Sequence, residues 1–267
     1  ADWFYAGEFA ERLVEHVAAA GGVLTGNDLR RFQPAWVDPV SVPYRNMRVF
    51  GPPPPCQAVQ ILQTLALMED FDVAAMGHNT ADTLHCFIEA AKLAMADRIA
   101  YAALAAPPTP GLLSAAYAAS RRSLIADRAR PSAGERFCSG QAAGQVVAGD
   151  PYAHLNAEAT THLDVGDAAG NAVALTQSLG TSFGAAMVVP GTGVLLNGFM
   201  RWFDLEPASP NAIGPAKKNE MCLSPLQVWD DAGPRLLIGT PGSYGILQTT
   251  PQMIMNWLDH GMSIQAA

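Results

Sequence analysis

Apolar residues recur at two different spacings along the chain, and the spacing changes near its middle. In the first part three segments carry apolar residues near the helical period of about 3.6 and predict amphipathic helices, the third being the longest. They are "YAGEFAERLVEHVAAAGG", "AVQILQTLALMEDF" and "TADTLHCFIEAAKLAMADRIAYAAL". Further helices are expected in "SAAYAASRRSLI" and "TGNDLRRF", the latter capped by Thr25 or Asn27. Residues 39–55 predict two short strands that end at a proline run.

The second part of the chain is richer in alternating, strand-like patterns. "THLDVGD" and "NAVALTQSL" predict two strands joined at "AAG", residues 191–200 and 223–242 continue this part, and "TTPQMIMNWLDHG" predicts a final helix. Helices followed by strands indicate an α+β fold in which helices cover a sheet. Between the two parts, residues 129–150 are small, polar and without a period, which predicts an exposed, flexible linker.

The turn in the hairpin determines which residues of its two strands pair. A three-residue loop at 168–170 places Asp167 opposite Asn171, with Gly170 in the left-handed conformation. The numbers of paired residues then sum to 338, so Thr160 lies opposite Ser178; a bulge would shift this by one residue. Threonine forms strands well, and cross-strand Thr–Ser pairs are common. The spacing by itself therefore favours a purely structural pair.

Composition narrows the class of protein. The chain has 267 residues, of which 49% are hydrophobic and 15% charged, as in an ordinary globular protein with a large core. The net charge of -8 argues against nucleic acid or an anionic membrane as the main partner. No apolar run reaches the roughly 18 residues of a transmembrane helix, and the first residues do not resemble a signal peptide. The compartment stays open between periplasmic or secreted and cytoplasmic.

The reactive side chains do not predict a metal site or an organic cofactor. The four cysteines lack a CxxC pair, so buried free thiols are favoured; they are Cys56, Cys86, Cys138 and Cys222. The six histidines lack an HExxH spacing, so no metal site is indicated. No Gly-x-Ser-x-Gly motif is present, and the glycines of "GTPGSYG" lack the lysine of a phosphate-binding loop. His162 shares a strand face with Thr160. A hydrogen-bonded structural histidine is favoured there over a triad with Asp164 and Ser178.

The stretch "TTHLDVGDAAGNAVALTQSLGTSFGAAMVVPGTGVLLNGFM" resembles the start of the small subunit of the gamma-glutamyltranspeptidase family, which belongs to the N-terminal nucleophile hydrolases. Other segments resemble the family in the same order, so the resemblance covers nearly the whole chain. They are "GGVLTGNDLRRF", "YRNMRVFGPPPP", "EAAKLAMADRIAY", "PGLLSAAYAASRR", "LSPLQV" and "GTPGSYGILQTTPQMIMN". The resemblance implies a four-layer αββα sandwich. Residues 1–159 match the large subunit and 160–267 the small subunit of one precursor, together forming one domain, with a further homo-oligomer left open.

The resemblance also implies catalytic roles for particular residues. The precursor would be cut between Ala159 and Thr160, freeing an α-amine with a reference pKa of roughly 7.7–8.0. Thr160 would then supply both the nucleophilic hydroxyl and, through its amine, the base. Ser178 matches the threonine that hydrogen-bonds the nucleophile in the family. Gly242 and Ser243 match the backbone of its oxyanion hole, which does not require a particular side chain.

The family's substrate-binding side chains are mostly replaced in this sequence. Gly180 stands where the family has an asparagine, and Trp202 stands where it has an aspartate. Met221 and Cys222 stand where it has two adjacent serines. Trp and Met cannot pair with the ammonium group of a gamma-glutamyl substrate, so a more apolar acyl group is expected. Asp204 lies two residues beyond Trp202, and a shift of the loop would bring its carboxylate into the pocket.

These matches predict a self-processing amide hydrolase or acyltransferase that acts on a small-molecule amide or gamma-glutamyl substrate. Two alternatives stay open. One is an acylase of the cephalosporin or glutaryl type with an apolar acyl pocket, and the other is an inactive homologue that serves as a binding or scaffold protein. The chain is expected to be a partial match that lacks the family's N-terminal and C-terminal segments.

Overall fold

The computed structural model describes residues 1–129 and 160–267. Most of the predicted linker, as well as Ala159 and Cys138, lies outside them. Short 3₁₀ helices span Phe199–Trp202 and Ser243–Gly245. The α-helices of the described residues are α1 (Asp2–Tyr5), α2 (Glu8–Ala19), α3 (Gly26–Arg31), α4 (Ala58–Met68), α5 (Val73–Met76), α6 (Ala81–Tyr101), α7 (Thr109–Leu112), α8 (Ala115–Arg122) and α9 (Ile246–Leu258).

The helices follow the sequence pattern closely at their ends. Thr25, and not Asn27, caps α3: its side chain accepts a hydrogen bond from the Asp28 backbone, and the Asp28 carboxylate accepts one from the Thr25 backbone. α6 is the longest helix of the described residues, as predicted. α9 begins at Ile246, three residues before the segment expected to be helical, because it continues directly from the 3₁₀ turn.

Four strands form one antiparallel sheet in the order β1-β2-β5-β6. They are β1 (Val40–Tyr44), β2 (Met47–Gly51), β5 (Leu226–Asp230) and β6 (Gly233–Ile238). One face of the sheet supplies fully buried side chains to the main core, among them Val49, Leu226 and Val228, and α4 contacts β1, β2, α6 and α9. The sheet thus combines strands from both sides of residues 130–159. The predicted boundary between two subunits at residue 159 stays a prediction.

The expected amphipathic pattern is wrong for α4. Ten of its eleven residues are buried, including Gln60, Gln63 and Thr64. The helix lies between the sheet and α6, so no side of it faces water. Its polar side chains are therefore bonded internally: Gln60 accepts a hydrogen bond from Arg98, and Gln63 donates one to Asp97.

The remaining two strands, β3 (Thr160–Gly166) and β4 (Ala172–Ser178), form a separate antiparallel hairpin. Its register confirms the sequence arithmetic, since Thr160 pairs with Ser178 and the Asp167 backbone donates a hydrogen bond to Asn171 O at 3.0 Å. Gly170 has a φ of 86°, as the turn requires. The hairpin lies beside the large sheet, where β4 contacts β6 and Gln227 Nε2 donates a hydrogen bond to Ala172 O at 3.3 Å.

The segment that follows the hairpin is mostly irregular. Residues 191–200 were expected to continue the sheet-rich part, but they contribute only an isolated bridge between Val188 and Leu195 and the first turn of a 3₁₀ helix. Backbone hydrogen bonds within the loop replace a sheet ladder, for example from Ala185 N to Leu196 O at 2.8 Å. The α+β fold class is nevertheless confirmed.

Candidate active site

Two hydroxyls meet at the open end of the hairpin. Thr160 Oγ1 donates a hydrogen bond to Ser178 Oγ at 2.9 Å, and both residues are partly buried. The pair exists because β3 begins where β4 ends, so the two side chains share one face of the hairpin. Ser178 Oγ also accepts a hydrogen bond from Gly180 N at 3.0 Å, which leaves the serine proton available for a further partner.

Gly180 lies where the backbone leaves the strand, in a conformation that favours glycine. Its φ is 80°, and a Cβ there would lie 3.3 Å from the ring of Phe199. A larger residue at this position would be strained and crowded. The position therefore contributes a backbone N–H to Ser178 and no side chain to a substrate.

An aromatic cluster adjoins Gly180. The ring centroids of Phe199 and Trp202 are 5.9 Å apart, and those of Trp202 and Tyr244 are 5.3 Å apart. Such distances are typical of favourable ring contacts. Because Tyr244 directly follows Ser243, the cluster connects Trp202 to Gly242 and Ser243, the predicted oxyanion-binding residues.

Gly242 precedes the 3₁₀ turn that leads into α9, and Ser243 is the first residue of that turn. Both have positive φ values, 129° and 53° respectively. Only glycine adopts such a conformation freely, so Ser243 is strained. The loop precedes the N-terminal end of a 13-residue helix, where partial positive charge from the helix dipole favours a developing anion.

Met221 and Cys222 lie where the chain approaches the start of α4. The backbone of Met221 exchanges hydrogen bonds with Pro55 O and Gln57 N, at 3.3 and 2.9 Å. Cys222 belongs to the main core with 3% of its surface exposed, and burial raises the pKa of its thiol to about 12. A thiol with such a pKa stays protonated and is a poor nucleophile at neutral pH.

The carboxylate of Asp204 already has a partner in its own loop. It accepts a hydrogen bond from the Ser209 hydroxyl, and the Asp204 backbone pairs with Asn211 and Ile213. The contacts keep the loop closed on itself. Bringing Asp204 to a substrate ammonium group would require breaking them.

His162 is fully hydrogen-bonded, as the sequence interpretation favoured. One ring nitrogen pairs with Thr176 Oγ1 at 2.8 Å and the other with Asp164 Oδ1 at 2.9 Å, so Ser178 is not a partner. The ring lies on the backbone of Gly239, where a Cβ would come within 2.3 Å of Nδ1. His162 therefore packs the hairpin against the segment that leads to Gly242 and Ser243.

Sequence reasoning did not find several residues that adjoin this site. Phe199 and Tyr244 lie in segments that resemble the family, but no local pattern marks them as part of a site. Thr176 lies opposite His162 by the same pairing rule that matched Thr160 with Ser178. Arg98 and Glu220 form a buried ion pair at 3.0 Å between α6 and the segment before Met221. Their separation of 122 residues leaves no local signal of this contact.

Neither a metal centre nor a membrane-crossing helix is found in residues 1–129 and 160–267. In these residues no three His, Cys, Asp or Glu side chains are grouped as metal ligands would be. None of their helices combines the length and the apolar character needed to cross a bilayer.

Comparison with known proteins gives consistent matches along the whole chain. The sequence model described as Gamma-glutamyltranspeptidase matches residues 1–267. The Acylase ACY 1 proenzyme of Pseudomonas sp. (strain V22) is 33% identical over 267 residues, covering 98% of this chain and 45% of that protein. The Glutathione hydrolase proenzyme of Escherichia coli (strain K12) is 34% identical over 283 residues, covering 100% and 46%.

A solved structure agrees with these sequence matches. The cephalosporin acylase from Bacillus halodurans superposes with a TM-score of 0.81 at 30% identity, over 100% of this chain and 46% of that chain. The chain thus spans a little less than half the length of these relatives. Sequence and fold together show that the chain belongs to the gamma-glutamyltranspeptidase family.

Proposed function

We propose that the protein is a self-processing amide hydrolase or acyltransferase in which Thr160 is the N-terminal nucleophile. The observation that carries the proposal is the 2.9 Å hydrogen bond between Thr160 Oγ1 and Ser178 Oγ at the first residue of β3. A threonine at a strand start becomes a chain terminus if the bond to Ala159 is cut. The new α-amine then lies on the same residue as the hydroxyl that it has to activate.

The reaction would proceed through an acyl-enzyme. The Thr160 amine accepts the hydroxyl proton while Oγ1 attacks the substrate carbonyl carbon, and the carbonyl oxygen becomes an oxyanion. The C–N bond then breaks, and the leaving amine takes the proton. Water, or an acceptor amine in a transferase, attacks the acyl ester and restores the threonine hydroxyl.

Two neighbouring features support this chemistry. Ser178 receives a hydrogen bond from Gly180 N–H, which fixes its oxygen, so its own proton can be donated to Thr160 Oγ1 when that oxygen carries charge. The backbone N–H groups of Gly242 and Ser243 are the proposed donors to the oxyanion. Their position before α9 adds the favourable end of the helix dipole.

The side chains around the site favour an acyl group with an apolar body. Trp202, Phe199 and Tyr244 form the aromatic cluster, Gly180 offers no side chain, and Asp204 is engaged by Ser209. An ammonium group placed against these rings without an ion pair would lose its hydration without compensation. The similarity to an acylase of Pseudomonas and to the cephalosporin acylase of Bacillus halodurans supports this substrate class.

A second candidate is gamma-glutamyl hydrolysis or transfer, favoured by the 34% identity to the Escherichia coli glutathione hydrolase proenzyme. It requires a carboxylate to bind the substrate amino group. Asp204 is the nearest candidate in the sequence, but only after the Ser209 contact is broken.

Maturation is tested by the intact mass of the native protein under denaturing conditions, with N-terminal sequencing. We expect two fragments, one beginning at Thr160, and none in a Thr160→Ala variant. A fully active single chain would exclude Thr160 as an N-terminal nucleophile. A single chain without activity would favour a binding or scaffold homologue.

Substrate class is tested on processed protein with a panel of anilides. We expect phenylacetyl and other apolar acyl anilides to be hydrolysed faster than the gamma-glutamyl anilide, with mild discrimination among the apolar groups. If the gamma-glutamyl compound is the best by about tenfold or more, the apolar pocket is wrong. Asp204 would then be the next residue to replace.

A further inference from the structure

Arg98 contacts two segments of the candidate site, one at Glu220 and one at Tyr244. Its side chain, on α6, is only 7% exposed. Nη1 donates a hydrogen bond to Glu220 Oε1 at 3.0 Å, and Nε donates one to Gln60 Oε1 at 2.8 Å. The guanidinium carbon lies 5.3 Å from the centroid of the Tyr244 ring, within the range of a cation–π contact.

The contacts of Arg98 form a closed ring of residues that includes Trp202 and Tyr244. Glu220 N–H donates a hydrogen bond to Asn211 Oδ1 at 3.0 Å, and Asn211 Nδ2 donates one to Trp202 O at 2.7 Å. The Trp202 ring contacts Tyr244, whose ring faces Arg98. Each member is therefore held from two sides, which restricts the positions open to Tyr244.

Restraining Tyr244 also restrains the backbone of the residue before it, Ser243. Ser243 has a φ of 53°, which is costly for a residue with a Cβ. Such a conformation persists only where the surrounding structure holds it in place. The Tyr244 ring is held by Trp202 and Arg98, and α9 begins two residues later at Ile246.

Burying the Arg98–Glu220 ion pair costs free energy, because both charged groups lose their hydration. Burial raises the pKa of Glu220, and the Arg98 charge acts in the opposite direction. The other carboxylate oxygen of Glu220 makes no hydrogen bond of ordinary geometry among the described residues, although the nearby Gln57 side chain also lowers the pKa of Glu220. A buried ion pair is weak evidence for stability, because apolar residues of similar volume often stabilise a fold as well or better.

We propose that Arg98 is a positioning residue that holds the Gly242–Ser243 loop in its oxyanion-binding conformation through Tyr244. The inference rests on the proposed function above. Arg98 precedes the proposed cleavage point, whereas Glu220 and Tyr244 follow it. In the processed protein the contact joins the two fragments, so the geometry of the loop depends on their docking.

The decisive experiment separates positioning from stability with a double replacement, Arg98→Met/Glu220→Leu. Removing both charges together leaves no unpaired ion in the core, but Gln60 Oε1 loses its donor, so we expect a folded protein with a modestly lower melting temperature. We expect kcat for an acyl anilide to fall roughly 10- to 100-fold, because a displaced oxyanion loop lowers transition-state stabilisation. KM should change by less than about threefold.

The matched control is Arg45→Met/Asp259→Leu. This pair is partly shielded from water, with 23% of the Arg45 side chain and 4% of the Asp259 side chain exposed. It joins the β1–β2 turn to the C-terminal end of α9, whereas Tyr244 precedes the N-terminal end of that helix. We expect its kcat to equal the parental one once the folded fraction is accounted for. Parental kcat in the Arg98/Glu220 double variant, or an equal loss in the control, would overturn the positioning role.

Two further measurements keep the test decisive. If the double variant does not fold, Tyr244→Leu is compared with Tyr244→Phe, and only the leucine variant should lose kcat by about tenfold or more, because phenylalanine keeps the ring. Equal rates for the two would overturn the proposal. Failure of the proposed function is recognised separately, since Thr160→Ala would then keep its activity in the parental background.

Discussion

The hairpin and the four-stranded sheet are both antiparallel, but they use their protected faces in opposite ways. In the sheet the inward positions are apolar and fully buried, such as Val49, Leu226 and Val228. In the hairpin no residue of either strand is fully buried, and the face shared by Thr160 and Ser178 is polar. The sheet therefore contributes stability, whereas the hairpin presents polar side chains, among them the proposed nucleophile.

The opposite face of the hairpin makes the contrast stronger. Four of its apolar side chains stay between 43% and 55% exposed, and they pair across the strands as Leu163 with Leu175 and Val165 with Val173. The hairpin thus gains little from burial within the described residues. The hairpin is ordered by its turn, by its ladder of hydrogen bonds, by the contact of β4 with β6, and by the packing of His162 on Gly239, the residue after β6. A change in the hairpin should thus affect chemistry more than stability, and the reverse should hold for the sheet.

The largest expected effect is that of Thr160→Ala. Loss of the nucleophile should abolish maturation and lower turnover by about four orders of magnitude or more. The free energy of unfolding should change by less than about 1 kcal/mol, because the hydroxyl is only partly buried. Urea unfolding and anilide turnover measure the two quantities. A large loss of stability would contradict the division of roles between the two regions.

Leu226→Ala tests the same contrast from the side of the sheet. Leu226 is fully buried in β5, and one of its methyl groups lies against Gly51. Truncation should cost about 2–5 kcal/mol of unfolding free energy through lost burial and a cavity. Turnover per folded molecule should equal the parental value at temperatures where the variant is folded. A specific loss of turnover would show that the sheet shapes the site directly.

Ser178→Ala should have a smaller effect on turnover. Removing the hydroxyl that bonds Thr160 Oγ1 takes away about 1–3 kcal/mol of interaction, or roughly 5- to 150-fold in rate. Ser178→Thr is the control, since it keeps a hydroxyl in the same strand position. We expect slow maturation and weak turnover for alanine and near-parental behaviour for threonine, measured by mass and initial rates. Parental rates for the alanine variant would exclude an orienting role.

Gly239→Ala tests the junction between the two regions. The new methyl group would lie 2.3 Å from His162 Nδ1, so the ring must leave its contacts with Asp164 and Thr176. We expect a loss of roughly 1–3 kcal/mol in unfolding free energy from this overpacking. Gly245→Ala is the matched control, because its Cβ would meet no atom within 4 Å and its φ is -58°. Equal stability of the two variants would mean that His162 moves away at little cost.

The smallest expected effect concerns the turn of the hairpin. Hydrogen bonds from the Asn171 side chain and backbone lower the pKa of Asp167 below its ordinary value. A lowered pKa means that this contribution is fully present above the unfolded-state pKa and is lost as pH falls through the folded-state pKa. The stability difference between the parent and Asp167→Asn should therefore shrink as the pH is lowered from 7 towards about 3, measured by thermal unfolding. A difference independent of pH would assign the effect to the turn shape alone.

The sequence by itself determined the local geometry of the hairpin. The three-residue loop ending at Gly170 sets its register, because a strand has a strict period of two and the turn leaves one pairing. The pairing of Thr160 with Ser178 follows from that rule without any tertiary information. Most helices, and the strands β1 and β2 of the large sheet, were likewise predicted from their periodicity and their capping or turn residues, whereas β5 and β6 were not predicted individually within residues 223–242.

The tertiary structure decided everything that joins distant segments. The exposure of α4 could not be predicted, because its apolar and polar residues are buried alike between the sheet and α6. The engagement of Asp204 by Ser209 depends on how an irregular loop folds back, for which the sequence carries no period. The contacts among Arg98, Glu220 and Tyr244 join three segments far apart in the chain. Local propensity acts over a few residues, whereas packing brings such segments together only when the whole core forms.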